Sequence, residues 1–248
     1  MNDISSPRAT EIAAALGAVG ERLNRACLAA GRDPADVQLL PVTKFFPASD
    51  VAILYGLGCR EFGESREQEA SAKVAELAAL TAADPSAVRW HMIGSVQRNK
   101  ARSIAQWAYA IHSVDSPRLI DALAKAATAA MAEGGREQPL RVLLQVSLDG
   151  DPLRGGVPLD ELAELADHAE AAAGLELSGL MAVPPLGSDP ERAFAALHSA
   201  HMDLLRSHPA AKTLSAGMTD DLEVAVRYGS TCVRVGTALL GSRPITSN

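Results

Sequence analysis

Lys44 closes a short apolar run, Leu39-Leu40-Pro41-Val42-Thr43, just ahead of the turn Phe45-Phe46-Pro47. An amine held among apolar neighbours is partly neutral, because desolvation disfavours its charged form, and only the neutral amine attacks a carbonyl. A lone lysine past a strand is more often a surface residue, so this one takes its meaning from its company. Two clusters near the other end of the chain supply donors: Ser215-Ala216-Gly217-Met218 and Arg234-Val235-Gly236-Thr237. Each pairs a hydroxyl with a glycine that lets backbone N–H groups approach an anion, although capped turns also use these residues. The guanidinium of Arg234 can only donate, to a ligand acceptor or to a carboxylate in a structural ion pair.

Other polar residues are more ambiguous. His91 lies between Trp90 and Met92 and reads either as a satisfied core histidine or as a ligand contact. Gln97-Arg98-Asn99-Lys100 could receive an anion or begin a solvated helix. His198 and His201 stand three apart with no third ligand beside them, so no metal site is expected.

Positioning these groups requires the elements that carry them. Ile12, Leu16, Val19, Leu23 and Cys27 recur at helical spacing, with Gly31 as a stop, which predicts an extra N-terminal helix over about 10–30. Strands are then expected at 39–43, 59–63, 88–93, 108–114, 140–147, 175–183, 213–215 and 231–235. Helices are expected between them: 49–57, one through Glu67 and Leu80, 96–107, one opened by Ser116-Pro117, 159–172, one opened by Asp189-Pro190, and 219–227. A short helix closes the series after Gly236-Thr237. Eight strand–helix units close naturally into a (β/α)8 barrel from about 38 to 243, an α/β fold in a single domain. A doubly wound sheet would want a glycine-rich turn after its first strand, where the chain has Lys44-Phe45-Phe46-Pro47 instead. Pro41 is the one misfit, since it removes a ladder donor from strand one.

In such a barrel the site lies at the C-terminal strand ends. Lys44 follows strand one, Glu64-Ser65 strand two and Gly94 to Lys100 strand three. Met181 ends strand six, Ser215 and Gly217 follow strand seven, and Arg234 to Thr237 close strand eight. Loops after strands seven and eight commonly hold phosphate, so those two clusters are read together as a phosphate cradle.

The chain has 248 residues, 48% apolar and 21% charged, enough to bury a full core. A net charge of −7 argues against nucleic acid or an anionic membrane as the main partner. Cys27, Cys59 and Cys232 form no C-x-x-C pair and read as reduced thiols in a cytoplasm. No signal peptide is visible in Met1 to Pro7, no stretch suits a membrane span, and no apolar patch demands a dimer, so a cytoplasmic monomer is expected.

Several segments carry a family resemblance: Val42-Thr43-Lys44, Phe62-Gly63-Glu64, Trp90-His91-Met92-Ile93-Gly94, Gln97-x-Asn99-Lys100 and Gly179-Leu180-Met181-Ala182-Val183-Pro184. Leu214-Ser215-Ala216-Gly217-Met218-Thr219-x-Asp221 and Gly229 to Ala238 complete the series in order, over roughly residues 39–243. Together they resemble the pyridoxal phosphate homeostasis family, also called the proline synthase co-transcribed or YggS-like family. The resemblance implies an alanine-racemase-like barrel that binds pyridoxal 5′-phosphate (PLP) as a Schiff base on Lys44. It implies phosphate contacts at Ser215, Gly217, Gly236 and Thr237, with Arg234 beside the pyridine nitrogen. An arginine there would hydrogen-bond an unprotonated ring, a weaker electron sink for carbanions. It also implies a non-catalytic carrier or regulator of vitamin B6, with PLP-dependent apoenzymes as recipients. Ser65, His91 and Met181 join the expected cofactor-binding set. The usual Gly-Glu-Asn-Tyr reads Gly63-Glu64-Ser65-Arg66 here, Ser65 having the shorter reach, and a lysine common after strand five is matched loosely by Arg154.

Two enzymatic alternatives stand beside that reading. Racemases and decarboxylases of this barrel type carry a second, β-rich domain, whereas this sequence stops at Asn248. They also need a base on each face of the substrate carbon, and Tyr55, Tyr109 and Tyr228 are all expected on helices or at a strand start. A cofactor-free Schiff-base aldolase would use Lys44 directly and hold a sugar phosphate in the cradle.

Overall fold

The computed structural model describes residues 6–81, 87–185 and 187–242. The N-terminal residues 1–5 and the last expected barrel residue, 243, lie outside that range. Eight parallel strands run β1 Gln38–Pro41, β2 Glu61–Glu64, β3 Arg89–Met92, β4 Ala108–Val114, β5 Leu140–Gln145, β6 Leu175–Met181, β7 Thr213–Ser215 and β8 Cys232–Val235. Their order, β1-β8-β7-β6-β5-β4-β3-β2, is that of a barrel with one thin seam. The seam joins β1 to β2 through the Val42–Gly63 bridge and a 2.9 Å bond from Thr43 N–H to Gly63 O.

Pro41 explains that seam. Gln38 N–H and Val42 N–H both donate toward β8, to Thr231 O and Val235 O, while Thr43 N–H donates toward β2. Pro41 shares the orientation of Thr43, so its missing N–H falls on the β2 side. A proline thus sits in a barrel strand where the ladder is already sparse.

The helices are α1 Pro7–Ala29, α2 Ala48–Gly56, α3 Glu67–Thr81, α4 Ala101–Trp107, α5 Pro117–Ala132, α6 Leu162–Ala171, α7 Pro190–Ser207, α8 Leu222–Arg227 and α9 Thr237–Leu240. Helix α1, capped by the Ser6 side chain, lays Ile12, Val19, Leu23 and Cys27 against residues of α2, α8 and α9. Burying each large aliphatic side chain there stabilises the fold by about 1.5–3 kcal/mol. It covers the outside of the barrel beside β1 and β8, the strands that carry Lys44 and Arg234.

Three helices begin later than their periodicity suggests. Helix α4 is preceded by a 3₁₀ turn, Arg98–Lys100, because Val96 is drawn into the core and keeps the chain extended. Helix α6 starts at Leu162 because Val157 first bridges Val146. Helix α8 starts at Leu222, after the Asp221 carboxylate accepts the Met218 N–H at 2.6 Å. Asp189 caps α7 as expected, whereas Ser116 occupies the cap position of α5 without a side-chain bond.

The barrel interior is unusual. Barrels of this type normally fill with branched aliphatic side chains. Here Met181, Leu143 and Ala110 share the inside with the buried polar residues His91, His112, Ser215 and Arg234.

Candidate functional site

Lys44 sits half-buried in the turn after β1, and α3 fastens the backbone on both sides of it. Lys73 of α3 donates to Thr43 O at 2.9 Å, to Glu64 Oε1 at 2.6 Å and to Glu69 Oε1 at 3.0 Å. Thr43 Oγ1 donates to the same Glu64 oxygen at 2.6 Å, and Glu69 Oε1 accepts the N–H of Phe45. Phe45 itself takes φ +70°, a left-handed conformation that costs a non-glycine residue about 1–2 kcal/mol. The strap from α3 offsets that cost and fixes the direction in which Lys44 leaves the chain. Burial pushes the Glu64 carboxyl upward in pKa, opposed by the Lys73 ammonium and by hydrogen bonds from Lys73 and Thr43.

Across the β1–β8 pairing, Leu40 lies opposite Arg234 and Pro41 opposite Val235. Arg234 is 5% exposed and reaches across the top of the barrel. Its Nη1 donates to Ser215 O at 2.6 Å and Ser215 Oγ at 2.7 Å, and its Nη2 donates to Ala182 O at 2.9 Å. Among the described residues no acceptor meets its Nε–H or the second Nη2 proton. Burial lowers the guanidinium pKa from its ordinary value, but a guanidinium does not deprotonate in proteins.

The two glycine clusters meet beside it. Arg234 N–H donates to Gly217 O at 3.0 Å, which ties the loop after β7 to β8. Gly217 has φ +91°, and a β-carbon there would fall 2.5 Å from the Ala225 β-carbon, so only glycine allows this loop to press against α8. At Gly236 a β-carbon would lie 3.2 Å from Val42 O, so the cradle and the Lys44 turn are immediate neighbours. The first internal bonds of α9 come from Leu239 and Leu240 to Gly236 O, and the N–H groups of Gly236, Thr237 and Ala238 precede them. Thr237 is exposed at this point, with its hydroxyl on the same turn.

The remaining expected site residues lie around or beneath this centre. The Ser215 side chain is fully buried and bonded inside the barrel to Arg234 and His112, not turned toward α9. His91 lies lower, its two nitrogens facing His112 and Glu61. Met181 packs on Ala110 and Leu143. Ser65 lines a cleft of about 550 Å³ with Arg66, Gln97, Lys100 and Glu69, the residue that also holds the Phe45 N–H. Arg154 pairs with Asp149 at 2.6 Å and donates to Val183 O and Pro184 O, closing the loop after β6. Lys73, Glu61 and His112 were not singled out by the sequence reading. The alternation Ala110, His112 on β4 held a signal for the last, while the others needed the tertiary contacts.

A family model described as the alanine racemase, N-terminal domain, matches residues 16–244. The pyridoxal phosphate homeostasis protein of Mycobacterium leprae is 52% identical over 251 residues, covering 99% of this chain and 98% of that protein. The chain belongs to the pyridoxal phosphate homeostasis protein family. The relative of that name in Mycobacterium tuberculosis H37Rv is 55% identical over 250 residues, covering 97% of this chain and 96% of its own. Among solved structures, PipY of Synechococcus elongatus PCC7942 with PLP bound superposes with a TM-score of 0.76 at 33% identity, covering 93% of this chain and 100% of that one. The α/β barrel expected from the strand–helix alternation is the fold of this family.

The three cysteines have no disulfide partner, and burial pushes the Cys232 thiol up to about 11. His201 Nε2–H donates to Ala211 O at 2.9 Å, and among the described residues no three His, Cys, Asp or Glu side chains gather as a metal site. No described helix is long and apolar enough to cross a membrane.

Proposed function

We propose that this chain binds pyridoxal 5′-phosphate and serves as a non-catalytic carrier or regulator of vitamin B6 balance. The observation that carries the reading is the donor set at the top of the barrel. A strapped lysine, an arginine with two uncommitted N–H groups and a turn of exposed backbone N–H groups lie at or just past the ends of adjacent strands, β1 and β8. An aldehyde, a ring nitrogen that accepts, and a phosphate are the chemical counterparts of those three. The names of the relatives and the cofactor in PipY support the same reading.

Lys44 would take the aldehyde carbon, Arg234 would donate to the pyridine nitrogen, and Gly217, Gly236 and Thr237 would receive the phosphate. When bound, the cofactor supplies an electron sink, and an arginine at its nitrogen keeps that sink weak because the ring stays unprotonated. That suits holding the cofactor rather than driving carbanion chemistry with it. The three tyrosines lie away from the loops at the C-terminal strand ends: Tyr55 near the end of α2, Tyr109 near the start of β4, and Tyr228 just past α8. PLP-dependent apoenzymes would be the recipients, and the carrier would act as a cytoplasmic monomer.

The test is intact mass after incubation with PLP and borohydride, with the modified peptide mapped. One adduct, on Lys44, absent from Lys44→Ala, is the expected result. No adduct, or one on another lysine, would overturn the assignment. Racemisation of a common amino acid at about 1 s⁻¹ or faster, an ordinary enzyme rate, would overturn the non-catalytic part.

A further inference from the structure

Beneath Arg234 a line of polar side chains crosses the barrel, and the cofactor contacts above leave it without a role. Ser215 Oγ lies 2.9 Å from His112 Nδ1, His112 Nε2 lies 2.9 Å from His91 Nδ1, and His91 Nε2 lies 2.8 Å from Glu61 Oε2. Glu61 also accepts from Gln38 at 2.6 Å and from Arg89 at 3.0 Å. Glu61 and Arg89 open β2 and β3, so the line ends at the N-terminal mouth, opposite the cofactor site. A cavity of about 200 Å³ lies there, lined by Gln38, Glu61, Arg89, His91, Tyr109 and Arg141 among others.

With Glu61 ionised and both imidazoles neutral, one proton arrangement satisfies every member. The Arg234 guanidinium donates, so Ser215 Oγ accepts from it. The direction is set from the other end: ionised Glu61 can only accept, so His91 holds its proton on Nε2 and accepts at Nδ1 from His112 Nε2–H. His112 Nδ1 is then an acceptor and takes the Ser215 hydroxyl proton, Cys232 being the other side chain bonded to Ser215. Every bond from Arg234 to Glu61 therefore points the same way. Burial holds His112 well below the usual histidine pKa, and the nearby Arg234 guanidinium acts in the same direction, which keeps that ring neutral.

We infer that His112 and His91, anchored by Glu61, are positioning residues that commit the Ser215 hydroxyl and so orient Arg234 toward the ring nitrogen of the cofactor. The inference rests on the cofactor reading above. It makes the electronic state of the bound ring depend on a carboxylate at the far mouth of the barrel, and it places the Ser215 hydroxyl under the arginine rather than on the phosphate.

Two measurements on the full chain test it. In cofactor-free protein, imidazole ¹⁵N–¹H spectra should show both His91 and His112 as Nε2–H tautomers, and an Nδ1–H tautomer at either would overturn the column. In PLP-loaded protein, with borohydride mass confirming the adduct, Glu61→Gln and Ser215→Ala should each shift the cofactor absorbance, and Ser215→Thr should restore it. Unmoved spectra in fully loaded Glu61→Gln and Ser215→Ala would overturn the inference. So would a loss of affinity in Ser215→Ala with an unmoved spectrum, the behaviour of a phosphate donor. A wild-type protein that forms no adduct overturns the cofactor reading instead, a failure that the tautomers measured without cofactor keep separate.

Discussion

Lys73 Nζ lies 2.6 Å from Glu64 Oε1 in an ion pair almost wholly removed from solvent, immediately behind the turn that carries Lys44. The second oxygen of Glu64 has no hydrogen-bond partner among the described residues, so the carboxylate depends on Lys73 and Thr43. Lys73→Met should therefore leave a buried charge uncompensated and destabilise the protein by about 3–5 kcal/mol. Urea unfolding would measure this. The double variant Lys73→Met with Glu64→Leu should recover most of the loss, since an apolar pair of similar volume often replaces a buried ion pair without penalty.

Acid stability should report Glu61. Burial alone would raise its pKa, but His91, Gln38 and Arg89 together hold it down to about 2, against 4.5 for an unperturbed side chain. A carboxyl lowered in the folded state contributes stability that is present above the unfolded pKa and lost as pH falls through the folded one. Between about pH 4.5 and 2 up to roughly 3 kcal/mol should disappear, and Glu61→Gln should flatten that part of the stability curve. A curve of unchanged slope in the variant would remove the carboxylate from this role.

Thr237→Ala removes one hydroxyl from the exposed turn at the start of α9. A hydrogen bond to a charged group is worth about 1.5–3 kcal/mol, so PLP retention should weaken roughly 10- to 150-fold without loss of fold. Equilibrium dialysis or the decay of cofactor absorbance after dilution would measure it.

Arg234→Glu should favour a protonated pyridine ring and shift the absorbance of the bound cofactor. The same change sets a carboxylate against Ser215 O and Ala182 O, so it should also lower thermal stability. An unmoved spectrum in folded, loaded protein would take Arg234 out of the site.

Gly179 tests the fold independently of any ligand. It has φ +149°, and a β-carbon there would fall 1.8 Å from Thr213 O on the neighbouring strand. Gly179→Ala should cost at least about 3 kcal/mol through overpacking and backbone strain, and should shift the melting temperature down steeply.

The chain's periodicity was enough to determine the barrel. Near-continuous apolar strands such as Val142 to Val146, alternating with amphipathic helices, leave few ways to bury every apolar face, and handedness removes most of those. Lys44, Arg234 and the glycine clusters were likewise legible, because strand-end residues of a barrel must share one face. Tertiary structure alone decided which polar groups meet inside. That His91 faces His112 inside the barrel, and that Lys73 pairs with Glu64 beneath α3, are contacts between elements that local spacing does not record. Local spacing records the period of an element, whereas a hydrogen bond between distant residues depends on an ångström of register that only the packed barrel sets.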